Sequence, residues 1–264
     1  MSAQIEISAI SKAFGGVQAV TRVSLDVQQG ELLSVIGPNG AGKTTLLNML
    51  SGFYHPDSGK IVLDGADVTH LKPSHVAERG VARTFQNIAL FRGMTVLDNL
   101  MLGRHVRMKS GVVSSFVYWG LAQKEEVEHR RRVEDIIDFL KIQDLRRLPT
   151  GALAYGLQKR VELGRALALD PKVLLLDEPM GGCNHEEKED MARFVLDVNQ
   201  EWGTTIILIE HDMGVVMDIS DRVAVLDMGQ KIAEGTPDEV RANPQVIKAY
   251  LGDARGGGEG GRRG

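Results

Sequence analysis

Cysteine is almost missing: Cys183 is the only one in 264 residues. No internal disulfide is possible, and a reducing compartment fits. Long apolar runs are missing too. None reaches the roughly 18–20 residues that a membrane-spanning helix needs. The nearest candidate, residues 111–122 with Phe116, Tyr118 and Trp119, is expected to form a packed loop or short helix. A contact with a membrane partner is the alternative. Positive charge is not in excess, with 31 Lys and Arg against 35 Asp and Glu, a net charge of -4 and a pI near 6.0. Nucleic-acid binders usually carry a basic patch, so this balance argues against one. The first ten residues hold no basic region followed by an apolar core, and no signal peptide is expected. No internal repeat is visible.

What is present suits an α/β protein. Hydrophobic residues make up 43% and charged residues 25%, enough for one large domain or two small ones. Residues 4–10 and 23–27 read as strands, broken by Gly15-Gly16 and Gln29-Gly30. Residues 61–63 with the Asp64-Gly65 turn suggest a hairpin. Residues 32–36, 173–176, 205–209 and 223–226 are continuous apolar runs, as in strands covered on both faces. The middle reads as helical. Thr95 and Asp98 resemble a capping box, and residues 124–141 place Val133, Ile136, Ile137 and Leu140 on one face. The Arg130-Arg131-Arg132 run reads as a solvated face rather than a partner site, with Glu126 and Glu134 each four residues from Arg130. Residues 184–202 form a helix capped by Asn184, with Met191, Phe194, Val195, Val198 and Trp202 as its stripe. Thr236-Pro237-Asp238-Glu239 opens another helix. From Asp253 the chain turns to glycine and arginine, expected as a flexible tail over residues 253–264.

The chemistry concentrates at a few strand ends. Gly37-Pro38-Asn39-Gly40-Ala41-Gly42-Lys43-Thr44 matches G-x-x-x-x-G-K-[ST] between a strand and a helix. Its glycines admit phosphates close to backbone N–H groups, and the helix N-terminus adds positive potential. Lys43 would reach the β- and γ-phosphates, Thr44 would ligate Mg²⁺, and Thr45 can add a hydroxyl. The strand at residues 173–176 delivers Asp177 and Glu178 at its C-terminal end, where α/β sheets place ligands. Asp177 suits a Mg²⁺ shell, and Glu178 suits a general base for an attacking water. Residues 205–209 end in Glu210-His211, and His211 could contact a γ-phosphate. Gln86, in Arg83-Thr84-Phe85-Gln86-Asn87, is an uncharged ligand for Mg²⁺ or water, or a loop glutamine. Leu153-Ala154-Tyr155-Gly156-Leu157 precedes a helix with a small or apolar stripe at Leu157, Val161, Gly164 and Ala168.

The order of these pieces resembles the ATP-binding-cassette (ABC) ATPases over about residues 4–252. Phe14 sits where that family stacks an aromatic ring on adenine, with Val20 beside it. Gln86 matches its Q-loop, residues 153–157 its signature, Gly181-Gly182-Cys183-Asn184 its D-loop, and His211 its switch histidine. Finer features resemble the LivG-type subunits of branched-chain amino-acid importers. These are residues 83–87, 91–99, 155–160 and 209–213, and the ending Ala233-Glu234-Gly235-Thr236-Pro237. The resemblance implies a P-loop NTPase core with a mostly parallel sheet, an N-terminal antiparallel β subdomain and an inserted α-helical subdomain at about residues 88–165. It implies a single nucleotide-binding domain over residues 1–252, ATP and Mg²⁺ as cofactors, and Glu178, His211 and Gln86 as the hydrolytic group. It implies a second ATPase subunit, homo- or heteromeric, whose nucleotide would be closed by Ala154, Tyr155 and Gly156 of this chain. Two permease subunits and an external solute-binding protein acting through them complete the assembly, on the cytoplasmic face of a membrane and without nucleic acid.

The chain departs from the general ABC pattern. Ala154 stands where a serine is usual, Tyr155 and Leu157 where glycine and glutamine are usual, and Asn184 where the D-loop has aspartate. A serine hydroxyl at position 154 would add a charge-assisted bond of about 1.5–3 kcal/mol to the partner's γ-phosphate. The Gly156 backbone and the helix N-terminus still offer donors. Other cargoes, such as urea or an exported lipid, remain open, as does an ABC ATPase acting on DNA or ribosomes.

Overall fold

The computed structural model describes residues 4–104 and 119–256, with only the backbone helix given for 119–125 and 251–256. Most of the 111–122 segment lies outside the described residues, as do residues 257–264 of the expected tail. Strand β1 (Ile5–Phe14) and β2 (Val17–Val27) form a hairpin across Gly15 and Gly16, at φ 53° and 88°. Positive φ at both central residues is what a type I′ turn requires. Strand β3 (Leu32–Ile36) is buried throughout and leads into α1 (Lys43–Leu50). Strands β4 (Ser58–Leu63) and β5 (Ala66–Asp67) pair across Asp64 and Gly65, at φ 48° and 74°. Then follow α2 (Pro73–Glu78), β6 (Val81–Arg83), α3 (Val96–Arg104), α4 (Trp119–Phe139), α5 (Tyr155–Leu167), β7 (Val173–Asp177) and α6 (His185–Gln200). The chain ends through β8 (Thr205–Ile209), α7 (Met213–Ile219), β9 (Arg222–Asp227), β10 (Gln230–Gly235), α8 (Pro237–Ala242) and α9 (Pro244–Gly256).

Two compact units result, one from residues up to Pro73 and from Asn199 onward, the other from Ser74–Val198. In the first, β2, β1, β4 and β5 make an antiparallel sheet in that order. Strand β3 pairs parallel with both β8 and β9, and β10 joins β9 antiparallel. The apolar pentapeptides β3 and β8 are buried at every position, as expected of strands covered on both faces. Helices α8 and α9 close over Ile36, Val216, Val223 and Val225 through Val240, Val246 and Tyr250. Thr236 and Glu239 form the reciprocal capping box that starts α8.

In the second unit β6 pairs parallel with β7, and helices α3, α4 and α5 pack on one another. Val133, Ile136 and Ile137 on α4, with Leu140 just past its end, are fully buried. Gly164 of α5 lets that face come close, since a Cβ there would lie 2.8 Å from Leu140 Cδ1. Thr95 caps α3 by accepting the Asp98 N–H at 3.1 Å. Asn184 and Glu187 exchange bonds of 3.0 and 2.9 Å at the start of α6, a second capping box. Met191, Phe194, Val195 and Val198 form the α6 stripe. Trp202 does not belong to that stripe, because α6 ends at Gln200 ahead of the Gly203 turn (φ 66°). Helix α9 likewise runs past Gly252, to Gly256.

Candidate nucleotide site

The first unit carries the glycine-rich loop between β3 and α1. Gly37 and Gly42 are fixed by close approach as well as by dihedral angle. Their φ angles are 147° and 98°. A Cβ on Gly37 would run into the Leu226 carbonyl of β9, and one on Gly42 into the Ala19 carbonyl of β2. The loop is thereby clamped between two strand backbones. Gly42 caps α1 without a side-chain acceptor, and no acidic residue stands in the first turn. An anion is the partner such a helix start accepts. Lys43 is buried and donates its Nζ to the Gly37 and Pro38 carbonyls at 2.7 and 2.9 Å. Thr44 is exposed and Thr45 half-buried at the head of the helix.

A cavity of about 630 Å³ opens beside this loop, lined by Pro38, Asn39, Gly40 and Ala41 and closed by Asp227, Met228 and Lys248 among others. Tyr250 on α9 accepts a bond from the Gly37 N–H, and burial raises its hydroxyl pKa. Val20 is fully buried against the loop at Gly42. Phe14 is 40% exposed and meets Tyr54 edge-on, with centroids 5.1 Å apart. His211 is exposed after β8, and its N–H donates to Glu210 Oε2 at 3.0 Å.

The second unit carries Gln86, Asp177 and Glu178, with Gln86 bonded to Glu178, and it also carries the Ala154–Gly156 segment at the start of α5. Asp177 ends β7 with its side chain only 1% exposed. One oxygen, Oδ2, takes the buried Arg83 Nη2 at 2.8 Å. The other, Oδ1, has no protein partner among the described residues. Burial pushes the Asp177 pKa up and outweighs the Arg83 guanidinium, with Glu178 adding to the rise and Lys159 opposing it. A buried carboxylate oxygen without a donor fits a divalent cation. Glu178 follows in the left-handed region, at φ 51°. Its Oε2 accepts the Gln86 Nε2 at 3.0 Å. The Gln86 amide thus holds the Glu178 carboxylate directly.

Ala154 is the N-cap of α5 and offers no side-chain cap. Tyr155 packs its ring over Gly182, where a Cβ would lie 2.9 Å from Cε1. Gly156 faces the Glu187 carboxylate so closely that a Cβ would collide with it.

Three residues in this unit carry more than their sequence context suggested. Arg83 neutralises Asp177. Lys159, 3% exposed, donates to the Gln86 and Glu178 carbonyls at 3.1 and 3.4 Å. Glu162, 2% exposed, accepts the Phe85 N–H at 3.3 Å, and burial raises its pKa against the opposing pull of Lys159 and two backbone donors. No local sequence signal marked them: only the burial of α5 on nearly every face shows that its charges need partners.

Comparison with known proteins agrees with this arrangement. Residues 20–181 match the family model described as ABC transporter, and residues 230–255 match the one described as branched-chain amino acid ATP-binding cassette transporter. The high-affinity branched-chain amino acid transport ATP-binding protein BraF of Pseudomonas aeruginosa is 40% identical over 250 residues, 95% of this chain and 98% of that protein. LivG of Escherichia coli, with the same descriptive name, is 39% identical over the same shares. The sulfate/thiosulfate import ATP-binding protein CysA of Methylococcus capsulatus is 38% identical over 94% of this chain and 68% of that protein. Among solved structures, the ADP conformation of MJ1267, an ATP-binding cassette of an ABC transporter, superposes with a TM-score of 0.83 at 34% identity, covering 96% of this chain and 100% of that one. No helix among the described residues is long and apolar enough to cross a membrane. The chain belongs to the ATP-binding, ATP-hydrolysing subunits of ABC transporters.

Proposed function

We propose that this chain powers import of branched-chain or related amino acids through a separate permease, using Mg·ATP held between two ATPase subunits. The observation that carries the cargo class is the joint match of the whole cassette to BraF and LivG and of residues 230–255 to the branched-chain family. That C-terminal segment includes the capped helix α8 and reaches Tyr250, which touches the phosphate loop.

In this reading each unit contributes its own groups to the handling of Mg·ATP. Phe14 and Val20 receive adenine. Backbone N–H groups of residues 37–42, the Lys43 ammonium and the Thr45 hydroxyl hold the phosphates. Thr44, Asp177 and Gln86 would hold Mg²⁺, which neutralises charge on the β- and γ-phosphate oxygens when bound. Glu178 accepts the proton as water attacks the γ-phosphorus. The bond to the β-phosphate oxygen breaks, and ADP and phosphate leave. Gln86 keeps the Glu178 carboxylate aimed, and His211 contacts the γ-phosphate. Ala154, Tyr155 and Gly156 close the partner subunit's nucleotide. Gln86 and the helices after it pass the motion to the permease, which places the chain on the cytoplasmic face of the membrane.

Glu178→Gln should bind ATP normally and turn it over slowly, a loss of about 10²-fold or more. Normal turnover in that variant removes Glu178 from this role. Uptake of leucine, isoleucine or valine in vesicles containing the co-purified permease tests the cargo. Uptake of urea or sulfate alone would reassign it.

A further inference from the structure

Lys159 lies in the second turn of α5, one turn after Tyr155, and its side chain is almost wholly buried. A buried ammonium needs hydrogen-bond acceptors to offset its lost hydration. Here both acceptors are main-chain carbonyls of functional loops. One belongs to Gln86 at 3.1 Å, the other to Glu178 at 3.4 Å. The Tyr155 ring lies 5.8 Å from the same ammonium. Gln86 in turn holds the Glu178 carboxylate at 3.0 Å. These bonds close a ring, from Lys159 to the Gln86 carbonyl, through the Gln86 side chain to the Glu178 carboxylate, and back through the Glu178 carbonyl. Glu178 also sits in the left-handed region, uncommon for L-residues, at φ 51°.

We propose that Lys159 is the positioning residue for Glu178, and that it ties the orientation of this carboxylate to the signature helix of its own chain. The inference rests on the reading of Glu178 as the group that takes the proton from water. Two carbonyls on different loops are pulled to one cation, which fixes Glu178 at its main chain while Gln86 fixes it at its side chain. A displacement of the first turns of α5 is therefore carried to the hydrolytic carboxylate. Because Tyr155 and Gly156 are assigned to the partner's nucleotide, this gives occupancy of one site a route to hydrolysis at the other.

The test is Lys159→Met, nearly the same shape without the charge. In the full chain kcat should fall about 10–100-fold, the cost of a misplaced reacting group. The KM for ATP and the affinity for Mg·ADP should stay within about threefold, because Lys159 acts here through the main-chain carbonyls of Gln86 and Glu178 and is not itself assigned to the nucleotide. In the Glu178→Gln background the same change should cost nothing further, since the group it positions is gone. Unchanged kcat, a loss confined to KM, or a double variant slowed by the product of both factors would each overturn the proposal. Should Lys159→Met fail to fold, Lys159→Gln is judged by the same three readouts. Slow Glu178→Gln with normal Lys159→Met removes only the role of Lys159. Normal Glu178→Gln removes the reading beneath it.

Discussion

Replacing Arg83 with methionine should expose the electrostatic cost of the Asp177 strand end. Both side chains of this pair are buried, at 6% and 1% exposure, and their 2.8 Å contact satisfies Asp177 Oδ2. Removing one member of a buried pair leaves an uncompensated charge and typically costs about 3–5 kcal/mol. For a chain of this size each kcal/mol moves the melting temperature by roughly 2–4 °C, so the expected fall is roughly 6–20 °C near neutral pH. The loss should depend on pH in a defined direction. Asp177 already has its pKa raised from 3.8 by burial, and losing Arg83 raises it further. A raised carboxylate pKa means that the folded chain prefers the protonated acid. Its stability is intact below the unfolded value and declines as pH rises through the folded one. The gap between the variant and the native chain should thus be small in acid and full above the folded pKa. Thermal melts across that range, with Mg·ADP present and absent, measure it. Mg²⁺ would return a cation to Asp177, so Mg·ADP should raise the melting temperature of Arg83→Met by more than that of the native chain. A loss under about 1 kcal/mol that is flat with pH would refute the argument.

Two further outcomes follow from burial and close approach. Glu162 has its pKa raised from 4.5 by desolvation, so its ionisation destabilises the fold as pH rises through the folded value. Glu162→Gln should therefore raise the melting temperature at pH 7–8 relative to the native chain, with the gain shrinking below about pH 4.5. A gain that grows toward acid pH would reverse the sign of this reasoning. Gly42→Ala and Gly40→Ala both impose positive φ on alanine, at 98° and 79°, but only position 42 adds a collision, with the Ala19 carbonyl. Strain of this kind costs about 1–3 kcal/mol, so urea unfolding should show a loss at both sites and a clearly larger one at Gly42. Equal losses would mean that β2 yields to the added methyl.

The parts of the site legible in the sequence are those encoded by local pattern. The loop at residues 37–44 is written as spacing, and β3, β7 and β8 as uninterrupted apolar pentapeptides. The Asn184–Glu187 and Thr236–Glu239 caps are written as residues three apart. What escaped is encoded by distance along the chain. Arg83 reaches Asp177 across 94 positions, Lys159 reaches Gln86 across 73, and Glu162 reaches Phe85 across 77. Nothing in a window of ten residues distinguishes these charges from solvated ones. Only the tertiary burial of β6, β7 and α5 turns them from surface groups into the framework of the site. The clamping of Gly37 and Gly42 by β9 and β2 was hidden for the same reason. Phosphate access explained those glycines from sequence, and strand packing adds a second, independent demand.

The two departures in the signature segment are of different physical kinds. Ala154 removes a cap: α5 begins with no side-chain acceptor on its first N–H groups. Those donors then rely on whatever anion arrives, so the helix start is less satisfied at rest and more responsive to a phosphate. Tyr155 adds contacts in place of removing them. Its ring fills the space above Gly182, and Lys159 lies beside its face. Gly182 suits this packing, since its φ of 78° disfavours any side chain and a Cβ there would meet the ring edge at 2.9 Å. The turn after Glu178 and the start of α5 are thereby coupled within one chain by packing. In the proposed function, the hydroxyl missing at Ala154 would weaken the grip on a phosphate, while the ring at Tyr155 would link that segment to the turn after Glu178. Gly182→Ala should therefore alter turnover more than nucleotide affinity, because it disturbs that link. A change confined to affinity would show that Tyr155 serves the nucleotide directly.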